Sequence, residues 1–189
     1  MSAQNRCAWV NGDPLYIAYH DEEWGKPLYD DQKLFEFLLL ESFQAGLSWI
    51  TILKKRENFR KAFDQFDPVK IANYNEDKFD ELMQNEGIIR NRLKIRAAIT
   101  NAQCYLAICK EEGSFSKYIW SFVGGKPIVN KWKSIKEVPA TSKESDEMSK
   151  ALKKRGFKFV GSTICYANMQ ATGMVNDHTT DCCKYQLYT

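Results

Sequence analysis

The chain holds only two histidines, one near each end, and each sits at a metal-ligand spacing from a cysteine. His20 follows Cys7 as a C-x12-H pair, and Cys182 follows His178 as an H-x3-C pair. Two thiolates and two imidazoles satisfy the tetrahedral nitrogen and sulfur preference of zinc, so Cys7, His20, His178 and Cys182 form a candidate zinc site joining the two chain ends. Cys183 rivals Cys182 for the fourth place. Four protein ligands close the coordination sphere, which makes such a metal structural and not an activator of water.

A second group with chemical potential is Glu41, in the most apolar surroundings of the sequence, LFEFLLLESFQAGLSW from Leu34 to Trp49. On a helix its neighbours at i−4, i−3 and i+4 are Phe37, Leu38 and Ala45, so Glu41 faces inward. A buried carboxylate must be paired or used. Upstream, CAWVNGDPLYIAYHDEEW places Trp9, Tyr16, Tyr19 and Trp24 among Asp and Gly turn signals, with Gly12, Asp13 and Pro14 marking a turn. Such dense aromatics either pack a core or line a pocket for a planar ligand.

The third group is KKRGFKFVGSTICYANMQATGMVND, from Lys153 to Asp177. Two helices joined by a turn containing Gly156 and Gly161 leave backbone N–H groups open at the start of the second helix, flanked by Lys154, Arg155 and Lys158. That arrangement is an anion site of the kind phosphates favour. GIIRNRLKI, from Gly87 to Ile95, offers an upstream counterpart.

The elements that must position these groups read as helices. Asp30 or Asp31 caps the Glu41 helix, and Ser48 caps the next, with Trp49, Ile52 and Leu53 on one face. Pro68 opens a short helix, Asp77 to Gln84 another, and a long amphipathic helix follows Gly87 and ends at Gly113. Lys117 to Phe122, Asp146 to Lys154 and Ser162 to Thr172 are helical, with a polar stretch between Gly125 and Ser145. Strand signals are almost absent, so the expected fold is all-α, with eight to ten short helices.

Composition bounds the rest. At 189 residues and 44% hydrophobic, the chain can bury a sizeable core without staples and is not disordered. Glu36, Glu41 and Gln44 interrupt the longest apolar run, which argues against a membrane span. The N-terminal residues lack a signal-peptide core, so the expected location is the cytoplasm, where the six cysteines stay reduced. Residues 1–50 carry a net −5 and the remainder +8, much of it in runs at 54–61, 90–96 and 150–158. The first run reads as a solvated helix face; the other two surround turns and point to a polyanion.

These stretches together resemble the DNA-3-methyladenine glycosylase I family of bacterial base excision repair. The resemblance rests on CAWVNGDPLYIAYHDEEWG, LLLESFQAGLSWITILKKRENFRKAF, GIIRNRLKI and LKKRGFKFVGSTICYANMQATGMVNDH with Cys182, and misses mainly residues 110–145. It implies a helix-hairpin-helix glycosylase fold, a single unit of two helical lobes whose terminal segments, about 1–30 and 165–189, are joined by zinc. It implies a monomer that removes 3-methyladenine from alkylated double-stranded DNA and releases the free base. By position, Cys7, His20, His178 and Cys182 match the zinc ligands; Glu41 with Trp9, Tyr16, Tyr19 and Trp49 matches the base pocket; Lys154, Gly156, Lys158 and Gly161 fall in the DNA-binding hairpin. The hairpin lacks the lysine of strand-cleaving relatives. Asp177, near the catalytic aspartate position of the wider superfamily, reads here as a helix cap or a partner of the metal ligands.

The chemistry of the substrate agrees with that assignment. A glycosylase reaches a base only after flipping it out of the stack. Alkylation at N3 makes adenine cationic, so an anionic Glu41 on its amino edge adds Coulomb attraction to hydrogen bonding, and the base leaves without being protonated. The alternatives are a zinc-stabilised DNA-binding module without chemistry, which has no use for an inward Glu among Trp and Tyr, and an RNA-directed enzyme.

Overall fold

A computed structural model describes residues 5–188; residues 1–4 and 189 of the terminal segments lie outside the described residues. Among the described residues, nine α-helices run in the order α1 (Pro14–Glu22), α2 (Asp31–Gln44), α3 (Trp49–Ala62), α4 (Pro68–Ala72), α5 (Glu76–Gln84), α6 (Arg92–Glu112), α7 (Phe115–Trp120), α8 (Lys143–Lys154) and α9 (Ser162–Ala171). The helical expectation therefore holds. Two departures are local. Asp13 and Pro14, read as a turn, are the N-cap and first residue of α1, because the Asp13 carboxylate accepts the Leu15 N–H and proline's fixed φ suits the first helical turn. Ile128–Val129 (β1) and Val175–Asn176 (β2) pair in parallel, Ile128 opposite Val175, in strands too short to show alternation in sequence.

The centre of the molecule is α2. Leu34, Phe35, Leu38, Leu39, Leu40 and Phe43 are at most 1% exposed, and the helix packs against α3, α6, α7 and α9. Asp30 caps it by accepting the Lys33 N–H at 2.8 Å. Asp31 works elsewhere: it accepts from the Ser114 hydroxyl and from the N–H groups of Phe115 and Ser116, and so caps α7. At the other end of α2, the buried Lys94 ammonium donates to the carbonyls of Phe43 (2.7 Å) and Ala45 (2.6 Å), satisfying acceptors the helix leaves open.

That placement of Lys94 corrects the sequence expectation for residues 87–96. Helix α6 starts at Arg92 behind the Asn91 cap, not at Gly87. Its basic run is spent internally: Lys94 on α2, Arg96 on Glu76, and Arg92 and Arg96 over the Phe79 ring. The run at 54–61 is likewise a paired helix face, with Arg56 on Glu23 and Arg60 on Glu36 and Glu57. A second, smaller cluster gathers Cys7, Tyr19, Trp24, Leu53, Ala171 and Cys182, with Trp9, Tyr16 and Trp49 packed against it. No helix among the described residues is long and apolar enough to cross a membrane.

Candidate active site

Glu41 sits one turn from the end of α2, 3% exposed, with Oε2 lacking any hydrogen-bond partner among the described residues. It faces a cavity of about 370 Å³, within the range of small-molecule sites, whose aromatic wall is Trp9, Tyr16, Tyr19 and Trp49. All five residues singled out for a pocket therefore meet. Tyr19 and Trp49 lie 5.5 Å apart at 48°, and Trp9 meets Tyr16 edge-on at 5.5 Å. The Tyr16 hydroxyl accepts the Ile50 N–H at 3.2 Å, supplying the cap that the Ser48 side chain does not give α3 and fixing the ring across the cavity.

Burial pushes the Glu41 carboxyl up to about 8, so in the free protein near neutral pH the group carries a proton. This modifies the expectation of a standing anion. Among the described residues, no basic side chain lines the cavity to offset the desolvation. Burial and then the Glu41 charge also raise Tyr19 well above the usual phenol range, keeping it a hydrogen-bond donor. The indole N–H groups of Trp9 and Trp49 are buried and have no hydrogen-bond partner among the described residues. A cavity with an unpaired carboxyl oxygen, two unpaired donors and flat aromatic walls suits a planar heterocycle with complementary edges.

Sequence reasoning missed the opposite wall. Ile135 and Val138 come from the stretch read as a polar connection, and Ala167 and Gln170 from α9. Gln44, one turn after Glu41, was legible from helical spacing; Ile135 and Val138, 94 or more residues away from Glu41 in the chain, carried no local signal. Asp177 also lines the cavity, but both its oxygens are occupied. It accepts from Asn130 (2.7 Å), Trp132 (2.7 Å), Tyr166 (2.7 Å) and Gln170 (2.8 Å). Those partners are side chains and not the N–H groups of a helix start, so it ties the 128–138 segment to α9.

Cys7, His20, His178 and Cys182 are all buried, and their ligand atoms lie within 4.8 Å of one another. Cys7 Sγ to His178 Nδ1 is 3.5 Å, and Cys182 Sγ is 3.4 Å from both His20 Nε2 and His178 Nδ1. A tetrahedral ion with bonds of ~2.3 Å to sulfur and ~2.0–2.1 Å to nitrogen has sulfur–nitrogen edges of about 3.5 Å. The far nitrogens are held as metal-bound imidazoles require: His20 Nδ1 meets Asp21 at 2.8 Å, and His178 Nε2 meets the Trp24 carbonyl at 3.2 Å. Arg6 clamps Asp21 and holds its carboxyl down at about 2. A Cβ on Gly25 would stand 2.8 Å from His178 Nε2, so the ring closes against bare backbone. The donor set fits a metal ion. Cys183 is outside the cluster, its N–H donating to the Asn5 carbonyl.

The hairpin between α8 and α9 abuts this site through Ser42, next to Glu41, whose hydroxyl donates to the Leu38 carbonyl and to Phe159 O at 3.2 Å. Lys154 and Lys158 are exposed, whereas Arg155 pairs with Glu111 and Glu112 at 2.5 Å each. The two glycines differ. A Cβ on Gly161 would meet open space at the uncapped start of α9, but one on Gly156 would meet Cys104 Sγ at 3.2 Å, so Gly156 (φ +97) faces α6 and not an outside ligand. The Lys158 N–H donates to Asn101 Oδ1.

A mainly helical scaffold that presents a basic hairpin beside an aromatic cavity with a buried carboxyl has the features of a protein that holds a planar ligand next to a polyanion. The chain belongs to the methyladenine glycosylase family, whose profile matches residues 9–185. It is 57% identical over 180 residues to DNA-3-methyladenine glycosylase 1 of Escherichia coli (strain K12), covering 95% of this chain and 96% of that protein. It is similar to a crystal structure of 3-methyladenine DNA glycosylase I at 56% identity and a TM-score of 0.93, over 95% of this chain and 98% of that one. Another similar structure, at 41% identity and a TM-score of 0.93 over 96% and 97% of the two chains, is a tyrosine-to-phenylalanine variant of a 3-methyladenine DNA glycosylase I in complex with 3-methyladenine.

Proposed function

We propose that this protein excises 3-methyladenine from alkylated double-stranded DNA by hydrolysing the bond between base and deoxyribose, without cutting the strand. The observation that carries the proposal is the unpaired Glu41 carboxyl oxygen inside an aromatic cavity, in a chain of this family. The flipped base lies against Trp49 and between Trp9, Tyr16 and Tyr19, and Glu41 reads its amino edge. A cationic base drives the Glu41 proton off, so the carboxylate appears when there is a positive charge to meet, and a neutral adenine offers no such gain. The glycosidic bond breaks with its electron pair going to the cationic base, which leaves neutral, while water adds to the sugar carbon and releases one proton to solvent. Among the described residues, no lysine lines the cavity to form the imine that strand cleavage needs.

Zinc is the metal that Cys7, His20, His178 and Cys182 would hold, and when bound it cross-links the two chain ends behind the Trp9 and Tyr19 wall. Lys154, Lys158 and the open N–H groups at Gly161–Ser162 would contact phosphate, with Gly156 shaping the turn behind them. The chain acts as one unit and as a monomer, in the cytoplasm, where the ligand thiols stay reduced.

The test is incubation with methylated duplex DNA and chromatography of the released bases. Release of 3-methyladenine with intact strands is expected; DNA binding with no base released would leave a binding module in its place.

A further inference from the structure

One residue of the hairpin serves neither the base cavity nor the metal cluster. Phe159 has φ +54, in the left-handed region where a bulky L side chain crowds its own carbonyl. Phe159 is 36% exposed, while Phe157 and Val160 beside it are 2% and 1% exposed and belong to the core. The strained backbone is held from both sides: Ser42 donates to the Phe159 carbonyl, and Asn101 brackets Lys158 through its N–H (2.8 Å) and carbonyl (3.0 Å). The ring borders a shallow groove of about 390 Å³ shared with Leu93, 70% exposed, Ala97 and Thr100, and flanked by Lys158 and Arg96. Strain maintained around an exposed aromatic points to a use for the ring.

We propose that Phe159 is a DNA-contacting residue, its ring and Leu93 forming an apolar ledge for the deoxyribose of the strand whose phosphates meet Lys158 and the start of α9. This rests on the hairpin being the DNA face. The occupant is DNA and not a protein because the groove is continuous with that hairpin and, among the described residues, is lined by no acidic side chain. No ion pair among the described residues engages Lys158, which lines it, or Lys153 and Lys154 at the end of α8. A sugar with an apolar face next to a charged phosphate matches an apolar ledge next to Lys158.

Phe159→Asn and Phe159→Gly separate function from packing, since both replacements accept positive φ. The unfolding temperature should stay the same or rise, and binding of free 3-methyladenine should stay within about twofold. Affinity for a duplex carrying an abasic-site analogue should fall about tenfold, the size expected for one partly buried aromatic. The salt dependence of binding should not change, because no charge is removed, whereas Lys158→Ala should reduce its slope by about one. Wild-type DNA affinity in Phe159→Asn, with Lys158→Ala weakened, would overturn the ledge and leave the hairpin reading intact. No loss in either variant would overturn both. A fall in unfolding temperature with both Phe159 variants would make the ring a packing residue and overturn the proposal as well.

Discussion

Replacing Glu41 with glutamine should make the protein more stable while impairing its activity. The carboxyl is pushed up to about 8 by burial alone, with no charged partner contributing. Unfolded, it titrates at the ordinary value of 4.5. Between these values the folded chain holds a proton that the unfolded chain has lost, so wild-type stability falls as pH rises, by up to ~1.4 kcal/mol per unit. The loss begins near the unfolded value and levels off above the folded one, reaching an order of 3 kcal/mol at about pH 7. The glutamine would fill the same volume and stay neutral throughout. Its amide would leave a donor unpaired, which offsets about 1 kcal/mol, so Glu41→Gln should gain roughly 2 kcal/mol at about pH 7 and nothing at about pH 5. For a chain of this length, that is a rise of about 4–8 °C in unfolding temperature. Binding and excision of 3-methyladenine should fall one to two decades, because the amide cannot present two acceptors or a countercharge. Unfolding of both proteins at about pH 5, 7 and 8.5, alongside excision assays, tests both halves. A variant no more stable than wild type at the highest of these would refute the burial reasoning; one that excises normally would make Glu41 a structural carboxyl.

Trp49→Ala should cost about 1–3 kcal/mol of base affinity through lost stacking, measured by titration with free 3-methyladenine, and lower the unfolding temperature because the side chain also packs on the main core. The protein purified without chelator should contain one zinc per chain, and Cys7→Ser or His178→Ala should lose it and lower stability; elemental analysis finding no metal would rule the site out. Gly173→Ala should destabilise by more than ~3 kcal/mol, since a Cβ there would lie 2.4 Å from backbone atoms of Lys26 and Pro27. Gly12→Ala, with a similar positive φ and nothing within 4 Å, should cost only ~1 kcal/mol, and equal losses at the two positions would show that the close approach is not what matters.

Much of this molecule is written locally in its sequence. The cap at Asp30, the helical spacing that turns Glu41 inward, and the rarity of histidine each act over a few residues or through the count of one residue type. So the helices, the metal-ligand set and the aromatic wall could be read before any coordinates. Lys94 and Asp31 could not, because an ammonium or carboxylate declares nothing about partners 51 or 85 residues away: Lys94 read as part of a basic run pointing to a polyanion, and Asp31 as a candidate cap of its own helix. The rest of the base cavity was hidden for the same reason: Ile135 and Val138 reach it only because β1 pairs with β2 and Asp177 holds Asn130 and Trp132. Tertiary structure alone decided which basic groups remain exposed. Charge is visible in sequence, but a cation's freedom depends on which carboxylate or carbonyl the fold brings to it, and that left Lys154 and Lys158 exposed while Lys94, Arg96 and Arg155 were consumed.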